Sequence, residues 1–164
     1  MAHYLFVTTW KIDTDIENVW RLINEPEVWP TWWPAVESTR QLSPGGEDGI
    51  GSRWQFVFVS RLPYKLAFES QITHKEAPFI LEGQASGELE GFGRWELSQE
   101  GSLTTTRYTW NVNTTKTWMN VLTPLLRPLF SWNHNVTMQA CSEGMARYLG
   151  VSLASPASHG PTER

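Results

Sequence analysis

Residues 123–150 read TPLLRPLFSWNHNVTMQACSEGMARYLG, and this stretch decides the fold. Thr123 followed by Pro124 predicts a helix start, with threonine as the N-cap and proline in the first turn. Gly150 predicts the helix end, because glycine adopts the left-handed conformation that follows a last turn without strain. Pro128 is expected to kink the first turns. The residues that recur at helical spacing are Leu125, Leu126, Leu129, Phe130, Asn133, Val136, Thr137, Ala140, Gly144 and Tyr148.

The chain before this helix has the two-residue period of β-strands. Residues 3–12 alternate aromatic and β-branched side chains, and further strands are predicted over 35–42, 51–60, 64–74, 79–86, 91–98 and 103–113. The connections between these strands are short and contain Gly and Pro, which favours antiparallel neighbours in a meander. One face of the sheet is apolar, because Trp54, Phe56 and Phe58 share one side of their strand.

Two short helices are predicted between the first two strands. Thr14-x-x-Glu17 has the spacing of a capping box, so a helix is expected from there to about Asn24. Its buried stripe is expected to comprise Ile16, Val19, Trp20 and Ile23. Prolines at 26, 30 and 34 then limit the chain to one helical turn and an extended corner that carries Trp29, Trp32 and Trp33.

The order of these elements predicts an α+β domain in which a curved, seven-stranded antiparallel sheet wraps the long C-terminal helix. Only that helix is long enough to cover the apolar face of the sheet. A curved sheet around one helix leaves interior space, so a cavity for a small ligand is expected between them. Residues 1–150 are predicted to form a single ligand-binding domain, and residues 151–164 a flexible tail rich in Ser, Ala, Pro and Gly.

The composition limits the kinds of partner and binding site that are expected. The 164 residues carry a net charge of −4 without a basic cluster, so nucleic acid is not an expected partner. Cys141 is the single cysteine, which excludes an intrachain disulfide and a thiolate zinc site. No signal peptide and no integral membrane segment are recognised, so a cytoplasmic location is expected. Ten tryptophans favour a cavity with aromatic walls over a bulky core alone.

Five short motifs occur along the chain in a fixed order. They are Ile12 to Trp20, Pro26-x-x-Trp29-Pro30-x-Trp32-Trp33-Pro34, Gly49-x-Gly51-Ser52, Gly91-x-Gly93-x-Trp95-x-Leu97 and Leu129 to Leu149. In this order they resemble the START-like, Bet v 1-like superfamily, and within it the polyketide cyclase/dehydrase and lipid-transport family. The resemblance spans about residues 3–150 and implies a helix-grip fold with a pocket between the sheet and the C-terminal helix. It implies no particular chemistry, because family members include carriers, cyclases and proteins without an assigned activity.

Acid–base chemistry would need polar groups inside the pocket, and His134 is the first candidate. It follows Asn133, which shares a helix face with Phe130 and should therefore point at the sheet. Tyr108 and Tyr64, on apolar strand faces, could donate their hydroxyls to a carbonyl ligand. Each residue also has a purely structural interpretation. His134 could lie at the side of the helix, bonded to a carbonyl or to solvent; Asn133 could be a core amide whose hydrogen bonds are satisfied; and the tyrosines could be part of the core.

Glu82 is harder to place, because it shares a strand face with Ile80. It either pairs on the solvent side or lies in the pocket as an acid with a raised pKa. No metal site is expected, since the four histidines are far apart in sequence, and no cofactor motif is found. The predicted ligand-binding residues are Trp32, Trp33, Trp54, Phe56, Phe68, Glu82, Trp95, Tyr108, Trp110, Phe130, Asn133, His134 and Thr137.

Four functions fit these patterns. The leading hypothesis is a binder of a small hydrophobic molecule that is aromatic, polyketide-like or lipid-like. The second is a polyketide cyclase, aromatase or dehydratase that uses His134, Asn133 and Tyr108. The third, a tryptophan platform for carbohydrate on a β-sandwich, leaves the amphipathic C-terminal helix unexplained. The fourth is a partner-binding module without a small ligand, and the sequence leaves a homodimer open.

Overall fold

The computed structural model describes residues 2–160, which form one eight-stranded antiparallel sheet around a long helix. Spatially, the strands follow the order β2-β3-β4-β5-β6-β7-β1-β8. The strands are Ala2–Ile12 (β1), Val36–Ser43 (β2), Arg53–Phe58 (β3), Leu66–Glu76 (β4), Ile80–Gly87 (β5), Leu89–Glu100 (β6), Leu103–Thr114 (β7) and Leu153–His159 (β8). The helices are Ile16–Ile23 (α1), Trp29–Trp32 (α2), Thr117–Val121 (α3) and Thr123–Leu149 (α4), with a 3₁₀ turn at Pro26–Val28.

The predicted α+β helix-grip class is confirmed, with eight strands in place of seven. Hairpin connections join β2 through β7, and β7 then pairs with β1, which places the first strand of the chain beside the last strand of the meander. Strand β1 alternates strictly, since Tyr4, Phe6, Thr8, Trp10 and Ile12 are buried while the residues between them are more exposed. Its inner face therefore points at α4 and forms part of the core.

The additional strand corrects the predicted tail. Leu153–His159 pairs antiparallel with β1, with Thr8 opposite His159 and Ile12 opposite Leu153. Its Ser/Ala-rich composition does not prevent pairing, because an edge strand needs backbone donors and acceptors more than large side chains, and it tolerates Pro156. The expectation of a flexible tail is therefore wrong for this strand. The last part of the predicted tail, residues 161–164, lies outside the described residues.

The helix starts differ from the predicted caps. Helix α1 begins at Ile16, whose N–H donates to Oε1 of Gln99 at 3.1 Å, while Thr14 Oγ1 accepts from Asn18 Nδ2 at 2.9 Å. The capping box is thus replaced by a tertiary contact from β6. Thr123 is a helical residue whose hydroxyl donates to Met119 O at 2.7 Å, so it is not the N-cap of α4.

The buried face of α1 is also corrected. Ile16, Val19 and Ile23 are buried as expected, but Leu22 completes the face and Trp20 is only half-buried. At the other end of the chain, Gly150 ends α4 with φ of 68°, as predicted. Among residues 2–160, no helix combines the length and the apolar character that crossing a bilayer requires.

Helix α4 comes unusually close to the tryptophan corner. A Cβ placed on Gly144 would lie only 1.9 Å from the carbonyl oxygen of Trp32. Glycine is required here because the backbone of α2 rests directly on the helix. This contact holds α2 against α4, and it fixes the position of the adjacent Trp33 at the interior cavity.

Candidate functional site

The interior between the sheet and the helices holds a cavity with two lobes. Lobe 1, of about 130 Å³, lies between α4, β1 and the β3–β4 connection. Lobe 2, of about 680 Å³, lies between the α1–α2 segment and strands β2 to β7. The residues that line both lobes are Trp33, Phe58, Phe68, Tyr108 and Trp110. All five are aromatic, so the partition between the lobes is a wall of rings.

Helix α4 supplies one side of lobe 1. Phe130, Asn133, His134, Thr137 and Met138 line it, and their spacing of three, four, seven and eight residues places them on one helical face. The same spacing explains why the polar side chains of Asn133 and His134 reach the interior alongside their apolar neighbours.

Lobe 2 is lined mainly by the sheet. Trp54, Phe56 and Trp95 contribute their rings from β3 and β6, and Trp29 Nε1 donates to Leu22 O at 2.9 Å. The Trp29 ring stacks on Phe56 with a centroid distance of 5.1 Å. Charged side chains also line this lobe, namely Glu27, Arg40 and Lys75. Lobe 2 therefore combines aromatic walls with some charged groups.

The aromatic wall is anchored at both ends. Trp33 Nε1 donates to Thr137 O of α4 at 3.0 Å, and its ring packs edge-on against Phe58 at 5.3 Å. On the sheet side, the ring of Tyr108 lies 4.4 Å from the ring of Trp95. Such contacts add to the burial of the rings and restrict their rotation, so the wall is a preorganised surface.

His134 is held as a neutral imidazole. Its ring stacks on Phe6 at 4.2 Å with an interplanar angle of 16°, and its inaccessible Nδ1 has no hydrogen-bond partner among the described residues. Burial lowers the pKa of His134 to about 3, and His159 adds a smaller effect in the same direction. Leaving a buried nitrogen without a partner costs free energy.

The tyrosines that line the cavity are hydrogen-bond donors. Burial raises the pKa of Tyr64 to about 12, with Tyr4 and Glu88 adding to the effect. Burial also raises the pKa of Tyr108. Both hydroxyls therefore stay protonated at neutral pH. Together with Asn133 and His134, they give lobe 1 polar groups that are uncharged at that pH.

Comparison with known proteins gives the family. The family model described as polyketide cyclase / dehydrase and lipid transport matches residues 12–141. The chain belongs to this family. No curated protein sequence matches the chain significantly.

Solved structures with the fold of this family align over nearly the whole chain. A START superfamily protein from Mycobacterium smegmatis is 12% identical, with a TM-score of 0.73 over 90% of this chain and 97% of that one. The Zhui aromatase/cyclase from Streptomyces sp. R1128 is 11% identical, with a TM-score of 0.75 over 91% and 94%. A protein from Thermus thermophilus is 19% identical, with a TM-score of 0.70 over 87% and 98%. At these identities the likeness shows the fold alone.

Eleven of the thirteen residues predicted to bind ligand line the cavity of this family member. Trp32 does not, because it is buried against α4 and stacks behind Trp33 at 5.8 Å. Glu82 does not either, because it lies on the outer face of β5, paired with Arg94. The eleven are Trp33, Trp54, Phe56, Phe68, Trp95, Tyr108, Trp110, Phe130, Asn133, His134 and Thr137.

Sequence reasoning missed other lining residues. Tyr4 and Phe6 line lobe 1, and their place on the apolar face of the first strand was the available signal. Tyr64 is a predicted hydroxyl donor on the apolar face of the predicted strand 64–74, although it is not among the predicted ligand-binding residues. In the structure it reaches the same lobe from the β3–β4 connection, packing edge-on against Phe130 at 6.3 Å. Within residues 2–160, no three His, Cys, Asp or Glu side chains come together as a metal site would require.

Glu82 is expected to be dispensable for the cavity. Its neighbours Leu81 and Gly83 point inward, whereas its Oε2 accepts from Nη1 of Arg94 at 3.2 Å, and Arg94 also pairs with Glu96. Glu82→Gln should therefore lower the free energy of unfolding by no more than about 1 kcal/mol, as for other partly exposed ion pairs. Ligand affinity, measured by tryptophan fluorescence, should not change. A large loss of affinity would instead support an acid inside the pocket.

Proposed function

We propose that this chain binds a small, ring-containing hydrophobic molecule in the two-lobed cavity. The single observation that carries the proposal is the aromatic partition, because the residues lining both lobes are all aromatic. A planar ligand would stack on these rings and bury its apolar surface against them. Lobe 2, at about 680 Å³, has the volume of typical small-molecule sites.

The polar groups favour a ligand that is neutral where it enters lobe 1. Tyr64 and Tyr108 would donate hydrogen bonds to carbonyl or hydroxyl oxygens of the ligand, and the amide of Asn133 can donate or accept. A buried charge would need a charged partner, and no Asp, Glu, Lys or Arg among residues 2–160 lines lobe 1. A hydrophobic ring system with a few oxygen substituents satisfies both conditions. We further propose that residues 1–150 act as a single ligand-binding domain.

Fluorescence titration tests the proposal directly, because aromatic side chains form the wall. A flavonoid should shift or quench the tryptophan emission saturably, a fatty acid should do so less, and an oligosaccharide should have no effect. Native mass spectrometry of protein purified from its own source should show a retained molecule of the same class. If no apolar compound alters the emission and no molecule is retained, the proposal is wrong.

A substitution that fills lobe 1 should block binding. Thr137→Phe would place a ring into a space of about 130 Å³, so affinity for the flavonoid should fall by at least about tenfold. The matched control is Gln139→Phe, which adds the same ring at an exposed position of α4. That control should bind as the wild type does. Equal loss in both variants would contradict a site in lobe 1, as would no loss in either.

Catalysis of ring closure or dehydration is the second candidate, and the partnerless Nδ1 of His134 is the observation that favours it. Against it, an imidazole with a pKa of about 3 is a weak base at neutral pH. Incubation with a linear poly-β-ketone thioester separates the two functions. Cyclised or dehydrated product that disappears in His134→Gln would support catalysis, and substrate recovered unchanged from the complex would support binding. A cytoplasmic location and a homodimer stay predictions.

A further inference from the structure

An exposed apolar stripe runs along α3 and the first half of α4, on the side facing away from the cavity. Val121 and Leu125 expose 71% and 76% of their surface. We call this set of residues the outer stripe: Trp118, Val121, Leu122, Leu125, Leu129 and Trp132. The predicted helical repeat of α4 therefore serves two surfaces, since Phe130 faces the interior whereas Leu125 and Leu129 belong to the outer stripe.

The outer stripe is continuous across both helices. Leu122 N–H donates to Trp118 O at 3.1 Å, and Leu126 N–H donates to Leu122 O at 2.9 Å, so helical hydrogen bonding passes through the junction. The spacing of three, four, seven, eleven and fourteen residues from Trp118 places the set on one face. Further along that face, Gln139 and Glu143 are exposed and bonded to each other at 3.1 Å. The apolar character is therefore confined to one half of the helix.

This surface lies on the same two helices that enclose lobe 1. Met119 and Phe130 line the lobe from inside, while Trp118 packs edge-on against Tyr64 of the β3–β4 connection at 5.8 Å. The outer stripe, the β3–β4 connection and lobe 1 therefore share one side of the molecule.

The charge around the outer stripe differs from that of the whole chain. The chain has 17 acidic and 13 basic residues, yet residues 101–142 contain no Asp or Glu. Two basic residues of that segment adjoin the outer stripe, Lys116 and Arg127, and the Arg127 guanidinium lies over the Tyr4 ring. Lys116 is paired with Glu88. Arg61, on the β3–β4 connection, is exposed and forms no ion pair within residues 2–160. An anionic surface complements this side of the molecule.

We propose that the outer stripe docks on the surface of a lipid bilayer that contains anionic lipid. Trp118 and Trp132 suit the headgroup level, where amphipathic indole rings concentrate, and Val121 and Leu125 would insert at the acyl boundary. A second copy of the chain fits less well, because it would bring the same carboxylate-free segment against itself. Docked in this way, lobe 1 lies close to the bilayer, from which a hydrophobic ligand can be taken up.

Vesicle flotation tests the docking. The wild type should float with vesicles of phosphatidylcholine mixed with phosphatidylglycerol, and less with vesicles of phosphatidylcholine alone. Raised salt should weaken its flotation with the anionic vesicles, because salt screens the attraction between charges. Val121→Gln combined with Leu125→Gln should weaken flotation by about tenfold, since two apolar groups leave the bilayer. Tyr148→Gln is the matched control, because Tyr148 is 54% exposed at the other end of α4. It should float as the wild type does.

Three results would overturn the proposal. These are that the wild type does not float with anionic vesicles, that the double variant floats as well as the wild type, or that Tyr148→Gln loses as much flotation as the double variant. Light scattering on the same samples identifies the competing occupant: a wild-type dimer that the double variant makes monomeric, without vesicle binding, would assign the outer stripe to contacts between copies. Retained flavonoid binding in the double variant shows that the cavity and the fold are intact.

Discussion

Gly144→Ala is expected to lower the free energy of unfolding by about 3 kcal/mol, at the upper end of what overpacking costs. The added Cβ would lie 1.9 Å from the carbonyl oxygen of Trp32, and Pro34 Cδ lies 3.6 Å away on the same side. A backbone carbonyl cannot rotate aside as a flexible side chain can, so α2 and α4 must separate. The gain in helix propensity of alanine over glycine, about 1 kcal/mol, offsets only part of this cost. Urea unfolding followed by circular dichroism measures the change.

The control for this substitution is Gln139→Ala on the same helix. Gln139 is exposed, so its replacement should change the free energy of unfolding by no more than about 0.5 kcal/mol. If Gly144→Ala is as stable as Gln139→Ala, the close contact between α2 and α4 is not a constraint. Because α2 positions Trp33 at the cavity, Gly144→Ala should also weaken ligand binding at temperatures below its unfolding transition.

Acidification should destabilise the fold through His134. Its pKa is about 3 in the folded chain and near the ordinary value of 6.5 when unfolded, so the unfolded chain binds more protons between these two values. The free energy of unfolding therefore falls as pH decreases from about 6.5 towards 3. At pH 5 the loss from this residue is up to about 2 kcal/mol relative to neutral pH. Urea unfolding at a series of pH values measures the slope.

His134→Gln should remove most of that slope, because glutamine keeps a polar group in the cavity without a titrating nitrogen. Burial also lowers the pKa of His159, which lies near Thr8, so a smaller slope of the same sign should remain. Gln139→Ala is again the control, since it replaces an exposed residue that does not titrate and should retain the wild-type slope. A wild-type slope in His134→Gln would show that the imidazole is solvated.

The pH result also bears on function. Should ligand binding raise the pKa of His134, the ligand has placed an acceptor or a negative charge beside the imidazole. Should the pKa stay low, the ligand fills the lobe with neutral groups, as proposed for a binder. The same titration in the presence and absence of a flavonoid distinguishes these cases.

Much of the fold could be predicted because local patterns determine it. The alternation in β1, the helical spacing of α4 and the glycine at its end each follow from the geometry of one element. Phe56 and Tyr108 face the interior for the same reason: a strand with one apolar face turns that face to the core. The α+β class, with a curved antiparallel sheet around a long C-terminal helix, followed from the order of these elements.

The failures share a different cause. The Thr14 cap was replaced by Gln99 from a distant strand, and the tail after Gly150 became a strand because β1 offered an unpaired edge. Glu82 and Trp32 left the predicted site because the register of β5 and the packing of α2 decide which way each side chain points. Local periodicity contains no information on these long-range partners.

The sequence by itself determined most of the helices and strands, which faces are apolar and that a large aromatic interior results, since these depend on residues close together in the chain. Only the tertiary structure decided that the interior splits into two lobes, that His134 is a neutral imidazole whose Nδ1 has no partner within residues 2–160, and that half of α4 exposes an apolar stripe. Each of these depends on contacts between distant segments: Trp33 on Thr137, Phe6 on His134, and Tyr64 on Trp118. Burial and partner choice are properties of the assembled chain, and they set the chemistry of the site.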